Sequence, residues 1–278
     1  MYKILLCHRR KKGLGYGKFH NHWMEPRSRL VLDLHAKLGY SRYAQLHQVR
    51  RINLLYQGIR FTRSPVVTAL LSVIQGKKVP KSQRDRHTQR EERWDVVEEL
   101  WYPSREALVE ALSSEAGVDA ARRLVEDHTP FVRRTAVVTA EEFVAAEDPA
   151  LRSPRITTVF CLRSRPGMTR EEMLAYWGES HKQLVLSLQR ALKYRAYDQL
   201  HVRSAAELSA VVEKLGGSAG EEFDGVAGLA YGSQWELVLG FLNPWTQVAN
   251  LRLVKDEINF IDGQRSALVF GRQYLLGP

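Results

Sequence analysis

An internal repeat constrains the fold of this 278-residue chain more than any other feature of the sequence. Residues 7–47 align without a gap on residues 161–201, at an offset of 161 − 7 = 154, and residues 94–131 align on residues 223–260, at an offset of 223 − 94 = 129. Chance does not produce such agreement, so we expect two copies of one fold. The identical pairs include Trp23/Trp177, Tyr43/Tyr197, His47/His201 and Asp127/Asp256.

The two offsets also predict where the copies begin and end. Their difference, 154 − 129 = 25, means that the first copy carries about 25 more residues between the matching blocks. We therefore expect one repeat over residues 1–146, with an insertion at about residues 50–93, and a second over residues 155–278. The junction falls near residues 147–154.

Hydrophobic periodicity predicts the same order of elements in both copies. In the second copy, residues 156–162 predict a strand, and Thr169 with Glu172 forms a capping box before apolar residues at helical spacing from Met173 to Leu192. Strands are predicted at residues 194–202, 223–231 and 267–274, with a helix at 235–254 interrupted near Asn243. The order is βαββαβ, the ferredoxin-like unit of an α+β fold.

The first copy repeats this pattern with one irregularity. Strands are predicted at residues 2–7, 40–49, 94–102 and 131–139, with one helix ending at Leu38 and another running through Val125. Pro26 lies inside the first helix, so that helix must either start near Pro26 or kink there. Within the insertion, residues 52–75 predict one or two helices that cover a sheet edge or a pocket mouth.

The charge balance favours an anionic partner without naming one. The chain has 41 Lys and Arg against 31 Asp and Glu, a net charge of +10. Part of this excess lies in residues 76–93, which lack apolar periodicity and predict an exposed loop. This segment has no aromatic residue on which a base could stack, and no nucleic-acid-binding motif accompanies it. We therefore expect no nucleic-acid partner.

The N-terminus and the cysteines predict a cytoplasmic protein. No apolar stretch approaches the ~20 residues that span a bilayer. The apolar residues 4–7 precede the basic residues 9–12, which reverses the order of a secretory signal. The two cysteines, Cys7 and Cys161, form neither a disulfide framework nor a metal-ligand cluster. We expect no membrane partner and no metal site.

The second copy resembles the EthD family of the dimeric α+β barrel superfamily. The similarity lies in residues 169–181 (TREEMLAYWGESH), 194–201 (YRAYDQLH), 223–226 (FDGV) and 255–257 (KDE). The resemblance implies that two ferredoxin-like units pair sheet against sheet into a barrel, here within one chain. Related proteins include cofactor-free cyclases, dehydratases, decarboxylases and monooxygenases, haem-binding relatives and accessory proteins, so the fold alone does not define the chemistry.

The two copies differ where the family carries its motif. The tryptophan-x-x-x-histidine motif is intact as Trp177 and His181, whereas the first copy has Trp23 and Arg27. The third strand differs as well. The second copy has Gly225, Ala227, Gly228 and Ala230 where the first has Val96, Glu98, Glu99 and Trp101. Small residues leave space, so we expect a working pocket in the second copy and a structural role for the first.

Each candidate residue has a structural alternative. His181 lies on the apolar stripe of its helix and is either a packing residue or an acid/base group. Asp256 either orients a histidine or caps a turn. Tyr197, Gln199 and His201 share one strand face, as do their counterparts Tyr43, Gln45 and His47. That face either forms a hydrogen-bonded network in the barrel interior or lines a pocket.

We expect a cofactor-independent enzyme that cyclises, dehydrates or decarboxylates an aromatic or polyketide-like small molecule. His181 and His201 are the acid/base candidates, Tyr197 stabilises an enolate or phenolate, and Asp256 completes the catalytic set. The predicted substrate-binding residues are Trp177, Gly225, Arg163, Tyr231, His47 and Tyr43.

Two other functions remain open. A haem-binding or oxygen-using protein of the same superfamily would use His181 or His201 as axial ligand, and a non-catalytic binding or accessory protein would use neither. An acidic acyl carrier protein is a candidate partner for the basic surface at residues 77–93. The expected assembly is a monomer containing an intrachain pseudo-dimer, or a homodimer of it.

Overall fold

Among the described residues, eight strands and the helices between them form two halves that share one order of elements, apart from an additional helix in the second half. The computed structural model describes residues 1–52, 94–203, 205–217 and 223–277. The first half contains β1 (Tyr2–Arg10), α1 (Tyr16–His22), α2 (Ser28–Asp33), α3 (His35–Leu38), β2 (Arg42–Gln48), β3 (Val96–Tyr102), α4 (Arg105–Ser113), α5 (Glu115–His128) and β4 (Val132–Ala146). The second half contains β5 (Arg155–Leu162), α6 (Arg170–Tyr176), α7 (Lys182–Ser187), α8 (Gln189–Leu192), β6 (Ala196–Val202), α9 (Ala206–Lys214), β7 (Gly225–Tyr231), α10 (Gln234–Leu242), α11 (Pro244–Glu257) and β8 (Ala267–Gly277).

The bounds of these elements follow the sequence repeat. α1 and α6, and β2 and β6, coincide at the offset of 154, whereas β3 and β7, α4 and α10, and α5 and α11 coincide at 129. α9 is absent from the predicted elements. It packs on α4 and β4 of the first half, where Leu208, Val211 and Val212 join the buried core of that half. The second half therefore covers part of the first.

All eight strands belong to one closed antiparallel barrel. Their order is β1-β3-β2-β8-β5-β7-β6-β4, and β4 pairs with β1 to close the ring. Within the first half the order is β4-β1-β3-β2, and within the second it is β8-β5-β7-β6. The halves meet at two seams, β2 with β8 and β4 with β6. Each edge strand is paired with an edge strand of the other half, so no sheet edge is left open.

The two-residue period of the strands separates an apolar interior from a face covered by helices. The buried interior cluster includes Leu5, Cys7, Val97, Val138, Val159, Cys161, Leu200 and Val226. Because Leu200 points inward, its strand neighbours Gln199 and His201 point outward, beneath the helices. The possibility that the Tyr197, Gln199 and His201 face lines the barrel interior is therefore wrong.

Side chains at the N-cap positions form hydrogen bonds with the first turns of several helices. Thr169 and Glu172 form the predicted capping box at the start of α6. Ser104, Ser114 and Ser233 cap α4, α5 and α10 by accepting a hydrogen bond from the backbone N–H three residues later. Asn243 caps α11 and precedes Pro244 at the first helical turn, which confirms the interruption predicted there.

Two predicted segments lie almost wholly outside the residues that the structure describes. Apart from Ile52, the predicted helices at 52–75 and the basic loop at 76–93 lie outside the described residues. Between the two halves, β4 ends at Ala146 and β5 starts at Arg155. No helix among the described residues is long and apolar enough to cross a membrane.

Close packing at one seam yields a stability prediction. A Cβ added to Gly271 of β8 would lie 2.2 Å from Cδ2 of Leu46 on β2. We expect Gly271→Ala to lower the free energy of unfolding by about 1–3 kcal/mol, since overpacking forces neighbouring atoms to shift. Gly15→Ala is the matched control, because nothing lies within 4 Å of its Cβ position. Urea unfolding that gives both variants the same stability would contradict this account of the seam.

Candidate active site

The first long helix of each half contains one π-helical turn. These turns span Trp23–Arg27 and Trp177–His181. In the first half Pro26 lies inside the π turn, so the helix continues through Pro26 instead of starting there. The second half has the same turn without a proline, so proline is not its cause. Such turns are frequent at functional sites, and both family motif residues, Trp177 and His181, lie at the ends of one.

Glutamine side chains hold both π turns against the sheet. The Nε2 of Gln199 donates to the carbonyl oxygen of Trp177 at 3.0 Å, and Gln45 donates to the carbonyl of Trp23 at the same distance. Gln199 also donates to the hydroxyl of Tyr197 at 2.6 Å, and its Oε1 lies 3.1 Å from Nε2 of His201. Because both halves share this arrangement, it fixes the helix to the strand irrespective of any chemistry in one half.

His201 is packed tightly within this arrangement. Its ring stacks on Trp177 with 5.0 Å between centroids and contacts Phe143 at 4.6 Å. A Cβ at Gly178 would lie 3.2 Å from Cε1 of His201, so the glycine admits the ring. Burial lowers the pKa of His201 to about 4 and raises the pKa of Tyr197 well above its usual range. Both side chains are neutral at pH 7.

His181, which is buried, pairs with a partly exposed carboxylate. Its Nδ1 lies 2.7 Å from Oδ2 of Asp256 at the end of α11, and the Tyr176 hydroxyl donates to Oδ1 of the same carboxylate at 2.7 Å. The carboxylate acceptor places the proton on Nδ1 and leaves Nε2 as the basic nitrogen. The hydrogen bond to Asp256 also raises the pKa of Tyr176. Asp256 thus orients His181, as one of the two sequence interpretations predicted.

The equivalent position in the first half carries an ion network instead. Arg27, fully buried, donates through Nη2 to Glu98 at 2.9 Å and through Nη1 to Asp127 at 3.3 Å. Glu98 also contacts His8 and accepts from Tyr43. Despite burial, Arg27 and His8 hold the pKa of Glu98 well below its usual range. These side chains fill the space between helix and sheet.

The second half leaves the same sheet face partly exposed. Three of its outward residues are only partly buried, whereas their first-half counterparts are buried. The pairs are Phe160 with Leu6, Ala227 with Glu98 and Leu229 with Leu100. Ala227 stands where Glu98 fills the first half, beside the position that His181 shares with Arg27. We call this partly exposed apolar face the helix–sheet cleft.

Not every small residue of β7 contributes to the cleft. The ring of Trp177 occupies the space opposite Gly225, where a Cβ would lie 2.5 Å from Cζ3. Gly228 and Ala230 point into the barrel and line a separate cavity of about 80 Å³ together with Lys3, Glu99 and Glu142. Gly228 and Ala230 therefore do not leave space beneath the helix, since the strand period turns them to the other face of the sheet.

The other predicted binding residues are dispersed. Tyr231 is buried in the core beneath the helices of the second half. The guanidinium of Arg163 lies over the ring of Phe223, 4.9 Å from its centroid. His47 and Tyr43 belong to the first half, where His47 contacts His20 and Gln45. Of the predicted binding residues, only Trp177 and Gly225 lie at the helix that contains Trp177 and His181. Among the described residues, no cluster of His, Cys, Asp or Glu side chains is suited to hold a metal ion.

Sequence reasoning missed Tyr176 and the cavity inside the barrel. Tyr176 directly precedes Trp177, but its counterpart is His22, so the repeat did not single it out. The cavity holds Lys3 within 3.1 Å of Glu99 and 2.8 Å of Glu142, with Asp198 at 3.6 Å. The sequence does contain a signal for this cavity. Lys3, Leu5 and Cys7 share one face of β1 by the two-residue period, and Lys3 is a charged residue on that otherwise apolar face.

One solved structure shares this architecture. The barrel superposes on an anthrone oxidase-like protein with a TM-score of 0.58 and 10% identity, covering 100% of this chain and 94% of that one. Candidate monooxygenases from Lactobacillus acidophilus NCFM and from Fusobacterium nucleatum subsp. nucleatum ATCC 25586 give TM-scores of 0.44 and 0.47. Their identities are 6% and 8%, over 98% and 99% of this chain and 92% of each structure. No curated protein matches the chain.

The family follows from the sequence itself. The model of the EthD domain matches residues 11–135 and 165–264, which is most of the chain and includes both π turns. The protein belongs to the EthD family, and the resemblance first seen in residues 169–181 is confirmed.

The ion network of the first half predicts a large stability effect. Glu98→Gln removes the charge that compensates the buried Arg27, so we expect it to lower the free energy of unfolding by about 3–5 kcal/mol. Glu110→Gln, on the exposed face of α4, is the control and should change stability little. Urea unfolding at pH 7 measures both. Equal stability of the two variants would show that the network does not support the fold.

The low pKa of His201 predicts how stability depends on pH. Since the folded protein binds this proton only near pH 4, and an unfolded histidine binds it near pH 6.5, stability is full above about pH 6.5 and falls as pH drops toward 4. Between pH 7 and 5 the loss from this group is about 2 kcal/mol. Urea unfolding of His201→Gln at pH 7 and pH 5 measures this contribution. Between these two pH values the free energy of unfolding of the variant should fall by about 2 kcal/mol less than that of the unchanged chain. If the variant and the unchanged chain lose the same stability between pH 7 and pH 5, the lowered pKa of His201 is contradicted.

Proposed function

We propose that this protein is a cofactor-independent enzyme that moves a proton on an aromatic or polyketide-like small molecule, with its site in the second half. The His181–Asp256 pair beside the helix–sheet cleft carries this proposal. The cleft offers apolar surface to a planar substrate, and the pair offers one basic nitrogen. We further infer that the halves are tandem ferredoxin-like repeats, residues 1–146 and 155–278, of which the first is structural.

The proposed chemistry follows from the tautomer of His181. Nε2 takes a proton from an activated carbon or hydroxyl of the substrate, and the electron pair left behind forms an enolate or phenolate. Asp256 stabilises the imidazolium through Nδ1, and His181 then returns the proton at the position that the product requires. Cyclisation, dehydration and decarboxylation all use such a proton transfer, so the same pair of residues could serve any of the three reactions.

His201 and Tyr197 take a different role from the one first expected. Both are buried and bonded to Gln199, and the first half repeats the arrangement without His181. We therefore assign them to holding the π turn that presents His181, as positioning residues. Tyr176, which bonds Asp256 at the partly exposed end of the pair, joins His181 and Asp256 in the proposed site.

A general carbon acid tests the proposal without knowledge of the natural substrate. Anthrone carries an activated methylene group whose protons exchange with deuterium when a base removes them. We expect the protein to accelerate this exchange in D₂O under nitrogen, measured by NMR. His181→Ala should reduce the acceleration about 10²–10⁴-fold, the range that a positioned base contributes. Asp256→Asn should reduce it less, because the base remains but loses its orientation.

Matched variants separate the site from the fold. Arg27→Met, at the counterpart of His181, should lower stability without changing the exchange rate per folded molecule. Full acceleration in His181→Ala, with urea unfolding unchanged, would overturn the proposed site. Oxygen consumption with anthrone in air, or a Soret band on titration with haem, would favour the oxygen-using alternative. Absence of any acceleration by the unchanged chain would favour a binding protein.

A further inference from the structure

Four large apolar side chains protrude from the helices of the second half. They lie along α10 and at the start of α11, and their exposed fractions lie between 57% and 76%. They are Trp235, Leu239, Leu242 and Trp245, which we call the apolar patch. Scattered apolar residues are normal on a surface, but a contiguous group of this size marks an interaction site. The inner face of α10 is separately buried through Leu237, so the helix needs no burial of its outer face to pack.

The internal repeat provides a control for this surface. α4 and α5 of the first half match α10 and α11 residue for residue at the offset of 129. All four counterparts of the patch are exposed and none is a large apolar residue. They are Glu106, Glu110, Ser113 and Ala116. The fold therefore accepts polar residues at these positions, and the second half has apolar ones for a reason other than stability.

Exposed basic residues lie on the helices that carry or adjoin the patch. The Thr246 hydroxyl donates to the carbonyl of Ala191 at 2.7 Å, which places α8 beside the start of α11. Two exposed bases of α8 and its C-cap thus lie near the start of α11, and α11 itself carries two more. The four residues are Arg190, Lys193, Arg252 and Lys255, and their counterparts in the first half are Ala36, Gly39, Arg123 and Glu126.

The acidic residues of α10 and α11 are only partly exposed, unlike the four bases; they are Glu236, Asp256 and Glu257. Glu236 of α10 pairs with Arg195 at 2.6 Å. Asp256 is held by His181 and Tyr176. The border of the patch is therefore positive, in keeping with the net charge of +10. An occupant of this surface must combine apolar material with negative charge.

We propose that the apolar patch and its basic border bind the surface of a bilayer that contains anionic lipids. The patch protrudes instead of forming a groove, and protruding tryptophan and leucine side chains enter a fluid layer at the boundary between headgroups and acyl chains. Arg190, Lys193, Arg252 and Lys255 would attract the anionic headgroups around them. A protein partner would instead have to supply a matching cavity for four projecting side chains.

Vesicle binding of the full chain tests this proposal. We expect the protein to sediment with vesicles of equal parts phosphatidylglycerol and phosphatidylcholine at 50 mM salt, and far less with phosphatidylcholine alone. Replacing the patch by the residues of the first half, in the variant W235E/L239E/L242S/W245A, should weaken binding at least tenfold. Lys193→Gly with Lys255→Glu should weaken binding at 50 mM salt by about fivefold for each positive charge lost. The double variant should also lose less of its binding as salt rises, because salt screens the attraction that these bases provide.

Controls on the first half make the result specific. Glu106→Gln and Glu110→Gln alter the same positions of the other half and should leave vesicle binding unchanged. Equal binding by the patch variant and the unchanged chain, or no binding to anionic vesicles at 50 mM salt, would overturn the proposal. A dimer that light scattering detects and that the patch variant abolishes would assign the surface to a second copy. Salt-sensitive binding to an acidic carrier protein, without vesicle binding, would assign it to that partner.

Discussion

The pairing of β2 with β8 and of β4 with β6 is the constraint on which the rest of the structure depends. Each half ends in two edge strands with unpaired backbone groups and presents an apolar inner face. Only the other half can satisfy both needs at once, because its strands complete the hydrogen bonds and its apolar face covers the interior. Since both halves belong to one chain, the barrel closes without a second molecule.

Covalent linkage of the halves frees them to diverge. In an assembly of identical units, each substitution would appear twice around the barrel, once in each unit. Here Arg27 with Glu98 fills one half, while His181 with Ala227 leaves the other half partly open. Similar asymmetry places Lys3, Glu99 and Glu142 opposite Thr157, Gly228 and Gln273 in the barrel cavity. The two halves thus differ in how the space between helix and sheet is filled, and the candidate site and the apolar patch both lie in the second half.

Much of the fold could be predicted because its signals are local. The β-branched strand 156–162, the Thr169 capping box and the Asn243-Pro244 interruption act within a few residues, and the repeat doubled the evidence for each. The π turns could not be predicted, since they depend on Gln45 and Gln199 reaching helix carbonyls from strands about 22 residues away. α9 was missed because its apolar residues pack on the other half, which its own sequence does not indicate.

The sequence by itself determined the internal repeat, the order of elements that its periodicity predicts and the difference between Arg27 and His181, because all three can be read from aligned residues. The tertiary structure decided which face each residue occupies. The register of β6 turned Gln199 and His201 toward the helices, and the register of β7 turned Gly228 into the barrel. The packing of α11 brought Asp256 to His181 across 75 residues. Such contacts depend on long-range pairing energies summed over the whole barrel, which no local pattern contains.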